Sequence, residues 1–275
     1  MSQIVFFDSG RNRLSCVCTV PDRQVIKAGL IFVHAADGNR LGPHRMFVEL
    51  AEKLKCRGIA SLRFDMRGCG DSSGEPAGGD INPDIEDLQN AIRFFSSKYK
   101  LPKIFLFGIS RGARVSISAL AEHSLLVDGV VLLSTPFSSS KAAAKKFSNR
   151  LKEYLYKFRN PENLKKLLSG KANLKQILRT LGFALNSQKR YRSNTDGFVT
   201  RCPLFFIYGS KDPIAADSAA YYSGICETFN IPFKTVEIKN ANHSFFHYRW
   251  KEQIMEITEK WLTEDICGED NDNLS

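Results

Sequence analysis

No stretch of the sequence approaches the ~20 consecutive apolar residues that a bilayer-crossing helix requires. The amino terminus, Met1-Ser2-Gln3-Ile4-Val5-Phe6-Phe7-Asp8, has no basic start leading into a long apolar run, so neither a membrane span nor a secretory signal is expected. There is no C-x-x-C pair and no Cys/His cluster of zinc type, and no metal or other cofactor is implied. The cysteines are odd in number, at 16, 18, 56, 69, 202, 226 and 267, which speaks against a disulfide framework and for free thiols in a reducing, cytoplasmic setting. Cys16 and Cys18 lie two apart in a strand-like run and should pack on one side of it. No internal repeat is found. With 43% hydrophobic and 25% charged residues, the composition excludes a disordered or collagen-like chain. At 275 residues, one large α/β domain can bury its core without covalent staples.

What the chain has in excess is positive charge. Its 39 Lys and Arg face 29 Asp and Glu, a net of +10. The excess is local. Residues 141–192 hold 15 basic residues and only two acids, Glu153 and Glu162, a net of +13, while the rest of the chain sums to −3.

Short apolar, β-branched or aromatic runs predict strands at Ile4–Phe7, Leu14–Val20, Gly29–His34, Ile59–Phe64, Ile104–Phe107, Gly129–Leu133, Leu204–Tyr208 and Phe233–Ile238. The turn signal Ser9-Gly10-Arg11-Asn12 makes a hairpin of the first two. Later strands alternate with amphipathic helices carried by Phe47, Leu50, Ala51 and Leu54, by Ile85, Leu88, Ala91, Ile92 and Phe95, and by Ile254, Ile257, Trp261 and Leu262. This alternation predicts an α/β protein with an eight-stranded, mostly parallel sheet covered on both faces. The rhythm breaks after Ser134-Thr135-Pro136. Helical patterns without strands (Leu151, Leu155, Phe158; Leu164, Leu167, Leu168; Leu174, Ile177, Leu178, Leu181) predict a basic helical cap, 137–200, inserted into a core formed by 1–136 and 201–266. The acidic tail 267–275 is expected to be disordered.

In such sheets, chemistry sits beyond the carboxyl ends of the strands. After Ile104–Phe107 comes Gly108-Ile109-Ser110-Arg111-Gly112 and then a helical pattern, a G-x-S-x-G sequence in its strand–turn–helix setting. A tight turn there lifts the Ser110 hydroxyl off the strand and leaves the Arg111 backbone N–H at a helix N-terminus, where developing negative charge is favoured.

On these residues the chain resembles the α/β-hydrolase fold superfamily over nearly its full length. The resemblance implies triad partners in the order Ser, Asp, His. Strand Leu204–Tyr208 runs into Gly209-Ser210-Lys211-Asp212-Pro213, and strand Phe233–Ile238 into Asn240-Ala241-Asn242-His243-Ser244-Phe245. The implied roles are Ser110 as nucleophile, His243 as general base and acid, and Asp212 as the carboxylate that orients the imidazole. His247 is the rival of His243 but should lie in the last helix. Asp217 is the rival of Asp212. His123 should be a surface residue, and His44 should begin a helix.

The resemblance also implies a second oxyanion donor just after strand Gly29–Val33, in His34-Ala35-Ala36-Asp37-Gly38. Ala36 aligns with it, with Ala35 the alternative, and His34 reads as a structural hydrogen-bonding residue. The stretch Asp65-Met66-Arg67-Gly68-Cys69-Gly70-Asp71-Ser72-Ser73-Gly74 is similar to a loop common in the superfamily, where Asp and Arg tie loops together. With Gly42-Pro43-His44-Arg45-Met46-Phe47, the stretch Leu62–Gly74 is also similar to hydrolases associated with the exosortase A system of bacterial exopolysaccharide production.

The expectation is a serine hydrolase acting on a carboxylic ester or thioester through an acyl-enzyme. A peptidase or lactone-type hydrolase is the alternative, as is a non-catalytic hydrolase-fold binding protein that works through its basic cap. The charge of 141–192 leaves three readings open: a solvated helical surface, selection of acidic substrates, or docking on an anionic membrane or acidic macromolecule. No nucleic-acid module pattern is present, and nucleic acid is not an expected partner.

Overall fold

A computed structural model describes residues 2–22, 25–123, 125–136, 200 and 202–266. The expected cap 137–200, apart from Thr200, and the expected tail 267–275 lie outside the described residues. The described residues form the strands β1 (Ser2–Ser9), β2 (Asn12–Thr19), β3 (Ala28–Val33), β4 (Ile59–Phe64), β5 (Ile104–Ile109), β6 (Gly129–Leu133), β7 (Leu204–Gly209) and β8 (Phe233–Ile238). Its helices are α1 (Met46–Lys55), α2 (Asn82–Tyr99), α3 (Arg111–His123), α4 (Pro213–Phe229) and α5 (Tyr248–Lys260).

The strands form a single sheet in the order β1-β2-β4-β3-β5-β6-β7-β8. β1 and β2 pair antiparallel, as do β2 and β4, and the remaining neighbours are parallel. The strand–helix alternation anticipated this mostly parallel sheet, amino-terminal hairpin included, and it is the α/β-hydrolase fold that the resemblance implied.

Strands β3, β4 and β6 are buried at every position because both sheet faces are covered. On one face, alternate residues such as Ile31, Leu62, Leu106 and Phe206 meet α2, α3 and α4. On the other, Leu30, Phe32, Phe107 and Phe205 meet α1 and α5. Phe32, Phe47 and Phe107 form an aromatic knot there, with ring centroids 4.8–5.8 Å apart. Each such buried ring contributes on the order of 2–3 kcal/mol. Cys16 and Cys18 do face the same side and are fully buried. Their mutual hydrogen bond, with burial, pushes the Cys16 thiol far above its ordinary range. The six described cysteines are free.

Some local expectations change. β1 runs the full Ser2–Ser9, so the hairpin turn narrows to Gly10 and Arg11. β5 continues through Gly108 and Ile109 because its ladder with β6 continues to the pair Ile109 and Leu133. His44 does not begin α1. It sits in a 3₁₀ turn, Pro43–Arg45, with left-handed backbone at His44 and Arg45. The chain reverses there to seat the buried Phe47, whose N–H is bonded to Leu41 O at 3.2 Å. Among the described residues no helix is long and apolar enough to cross a membrane.

Candidate active site

The strand order reverses direction at β3 and β5. β3 lies between β4 and β5, so successive connections leave in opposite directions and open a crevice at the carboxyl ends. Ser110 stands there. Its N–H donates to Leu133 O (2.9 Å), continuing the β5–β6 ladder by one bond. Its φ of 51° then throws the chain into the left-handed region, and α3 begins at the next residue. A non-glycine residue in that region is uncommon and is held there by its surroundings.

Those surroundings explain the two flanking glycines. A Cβ on Gly108 would lie 2.6 Å from the Ala113 Cα, and one on Gly112 would lie 2.1 Å from Val33 O and 2.7 Å from His34 O. The first turn of α3 is therefore pressed onto the ends of β5 and β3, and only hydrogen fits between them. Arg111 is the first residue of α3, so its backbone N–H has no intrahelical acceptor.

The loops after β7 and β8 are stitched together. Ser210 N–H donates to Ile238 O (3.1 Å), Lys211 N–H to Ala241 O (2.8 Å), and Asn240 N–H to Ser210 Oγ (2.7 Å). The stitching sets Asp212 beside His243. Asp212 is buried, and its two carboxylate oxygens have separate duties. Oδ1 accepts the Ala215 N–H (3.2 Å) as the N-cap of α4, and Oδ2 lies 2.5 Å from His243 Nδ1. Burial alone would push this carboxyl up. The hydrogen bond and charge of His243 and the Ala215 N–H outweigh it, and the group is held below its ordinary value.

An ionised Asp212 accepts the Nδ1–H of His243, which leaves the Nε2 lone pair free to accept a hydrogen bond. That atom is 3.0 Å from Ser110 Oγ. The structure thus brings Ser110, His243 and Asp212 into one hydrogen-bonded line across 133 residues of chain.

The rivals stand elsewhere. His247 is not within α5 but caps its start, accepting from Arg249 N–H (3.3 Å). It misses the helix because its extended backbone turns the chain into it. Asp217 is exposed on α4.

Beside the elbow that Gly108–Gly112 makes between β5 and α3, Ala35 O accepts from Gly38 N–H (3.0 Å), closing a tight turn on which Ala36 is exposed. His34 is buried. Its Nδ1–H donates to Ala35 O (2.7 Å) and its Nε2 accepts from Met66 N–H (3.0 Å). Burial pushes its imidazole down, which suits this neutral, structural role.

The loop after β4 is likewise architectural. Asp65 accepts from the Arg40 N–H (2.6 Å), the Arg40 guanidinium and the Asp71 N–H (3.0 Å). Arg67 binds Asp87 and Glu86 on α2. Reasoning from sequence assigned Arg111 a backbone role only and missed its side chain, which pairs with Asp84 at 2.5 Å. Nothing in the sequence marks that pair, because the residues lie 27 positions apart on different helices.

Fold and crevice define an α/β serine hydrolase. Residues 40–247 match the model of the family described as serine aminopeptidase, S33, and the chain belongs to that family. It is similar to the quorum-quenching protein AidA of Acinetobacter baumannii, 28% identical over 137 residues, which are 49% of this chain and 43% of that protein. The match thus spans less than half the length of this curated relative.

Among solved structures it is similar to Est1E from Butyrivibrio proteoclasticus with bound ferulic acid (17% identity, 96% of this chain and 99% of that one, TM-score 0.66). It is also similar to a carboxyl esterase from Bacillus coagulans (15%, 96% and 99%, TM-score 0.68) and to an esterase of Pyrococcus furiosus (21%, 95% and 91%, TM-score 0.66). At these identities the likeness is one of fold.

Proposed function

We propose that the protein cleaves a carboxylic ester or thioester through an acyl-enzyme carried on Ser110. The observation that carries this reading is His243, with Nε2 3.0 Å from Ser110 Oγ and Nδ1 2.5 Å from the carboxylate of Asp212.

In this mechanism Ser110 Oγ attacks the acyl carbon while His243 Nε2 takes its proton. The carbonyl oxygen becomes an oxyanion, held by the backbone N–H groups of Arg111 and Ala36. Collapse expels the alcohol or thiol, which receives the proton from His243. Water then attacks the acyl-enzyme with His243 again as base, and a second collapse releases the acid and restores Ser110. Asp212 stays ionised throughout, fixing the tautomer and stabilising the imidazolium. Esterases among the structural relatives support an acyl ester as substrate.

A fluorophosphonate probe tests the nucleophile. Folded wild-type protein should label and turn over p-nitrophenyl esters, and Ser110→Ala should do neither. A wild-type chain that fails to label would leave a non-catalytic binding protein in place of the enzyme.

The family's description as a serine aminopeptidase supports a second reading, hydrolysis of an aminoacyl bond. Turnover of aminoacyl p-nitroanilides above that of esters would favour it. The +13 charge of residues 141–192 supports an acidic substrate or an anionic docking surface. A preference for acidic esters that fades as salt rises would favour substrate selection, whereas salt-sensitive binding to anionic vesicles with no such preference would favour docking.

A further inference from the structure

In the mechanism above Arg111 contributes a backbone N–H, yet its side chain is bonded on all three nitrogens. Nε donates to Asp84 Oδ2 (2.5 Å), Nη1 to Gly78 O (2.6 Å) and Nη2 to Asp80 O (2.7 Å). The guanidinium side chain is 13% exposed and the Asp84 side chain 4%. The acceptors belong to the loop 74–81 and the first turn of α2, a segment that is otherwise mostly exposed. Bonds within it include Asp80 N–H to Ala77 O and Asn82 N–H to Asp80 Oδ1, both 3.2 Å, and Ile85 N–H to Ile81 O at 2.9 Å.

A planar guanidinium with three fixed acceptors cannot turn without breaking at least two bonds. Arg111 directly follows the left-handed Ser110, so the peptide carrying its N–H is held at two ends. One end is the Ser110 N–H on Leu133 O. The other is the Arg111 side chain on the α2 segment. Gly112, pressed on Val33 O, prevents α3 from sliding to compensate.

We infer that the Arg111 side chain is a positioning residue: its clamp on Asp84, Gly78 and Asp80 aims the Arg111 N–H at the place where the oxyanion forms. The inference rests on the hydrolase reading above and deepens it. It also makes the guanidinium unavailable as a binding group for an acidic substrate, since its charge is met by Asp84.

An N–H aimed at an oxyanion acts on the tetrahedral species and little on the bound ester, so the effect belongs to kcat and not to KM. The full-length wild type, Arg111→Met and Arg111→Lys are to be compared with a p-nitrophenyl ester and with a trifluoromethyl ketone, which forms a tetrahedral adduct on the serine. Removing one oxyanion donor costs roughly 10²–10³ in kcat, and misaiming it should cost part of that. Arg111→Met is expected to lower kcat roughly tenfold to a hundredfold with KM within about twofold, and to raise the ketone Ki by the same factor as the kcat loss. Arg111→Lys, which can still pair with Asp84, should recover part of both.

Folded Arg111→Met with kcat near wild type, a loss confined to KM, or an unchanged ketone Ki overturns the inference. If Arg111→Met does not fold, Arg111→Lys decides, and unchanged kcat and Ki overturn it. A wild type without Ser110-dependent turnover overturns the hydrolase reading and this inference with it. Turnover by the wild type with unaffected variants overturns this inference alone.

Discussion

Gly112 lies so close to the end of β3 that a Cβ on it would stand 2.1 Å from the carbonyl oxygen of Val33. The neighbour is backbone in the middle of the sheet and cannot swing aside. Gly112→Ala should therefore destabilise the fold by about 3 kcal/mol or more, in the range of severe core overpacking. It should also lower the proposed Ser110-dependent turnover in whatever folded protein remains. Chemical denaturation of the purified variant measures the first effect, and a midpoint within error of wild type would contradict the close packing at the elbow.

Gly224 makes the opposite case. It lies inside α4, and a Cβ there meets nothing within 4 Å. Glycine in a helix interior costs about 0.5–1 kcal/mol relative to alanine. Gly224→Ala is expected to raise the melting temperature by about 2–4 °C with unchanged kinetics. A fall in melting temperature would mean that the open space is filled by something else.

The two oxygens of Asp212 can be separated by substitution. Asn keeps an acceptor for the Ala215 N–H and so keeps the cap of α4, but it cannot hold the His243 tautomer as a carboxylate does. Asp212→Asn should fold like wild type and lose on the order of 10⁴ in kcat. Asp212→Ala should lose as much activity and about 1 kcal/mol of stability besides. Equal melting temperatures for the two variants would argue against the cap. The carboxyl is held below its ordinary value, so the stability that it adds is present above the ordinary carboxylate range and is lost as pH falls through its lowered value.

Asp84 titrates in the other direction. Burial pushes its carboxyl up, and Arg111 draws it back only in part. A carboxyl raised by folding binds its proton more tightly in the folded state. Stability therefore falls as pH rises from the ordinary value of about 3.9 through the raised one, and the full cost remains at neutral pH. Asp84→Asn is expected to be at least as stable as wild type at pH 7, with the difference closing as pH drops to about 4 and below. Melting temperatures across that range check it, and a variant clearly less stable at pH 7 would show that the ion pair outweighs desolvation.

Much of the fold is legible because its signals are local. The central strands β3, β5, β6 and β7 are apolar runs of five or six residues, and the helices show their buried faces at three- and four-residue spacing. The fully apolar Leu30-Ile31-Phe32-Val33 run fits a strand buried on both sides, and β3 is one. The misreadings fall at element ends. His44 and His247 sit just before helices begin, where a turn or an extended residue is set by what the neighbouring chain must reach and not by periodicity.

By itself, then, the sequence determined the order of the elements, the elbow at Gly108–Gly112, and the places of Asp212 and His243 after two successive strands, because those depend on short-range pattern and chain order. Tertiary structure alone decided that His243 Nε2 stands 3.0 Å from Ser110 Oγ and that the Arg111 guanidinium closes on Asp84. Such distances come from non-local hydrogen bonds, the Ser210 and Lys211 stitching above all, which join residues about 30 positions apart. A geometry correct to a few tenths of an ångström comes from packed loops held against one another, and no single segment carries that information.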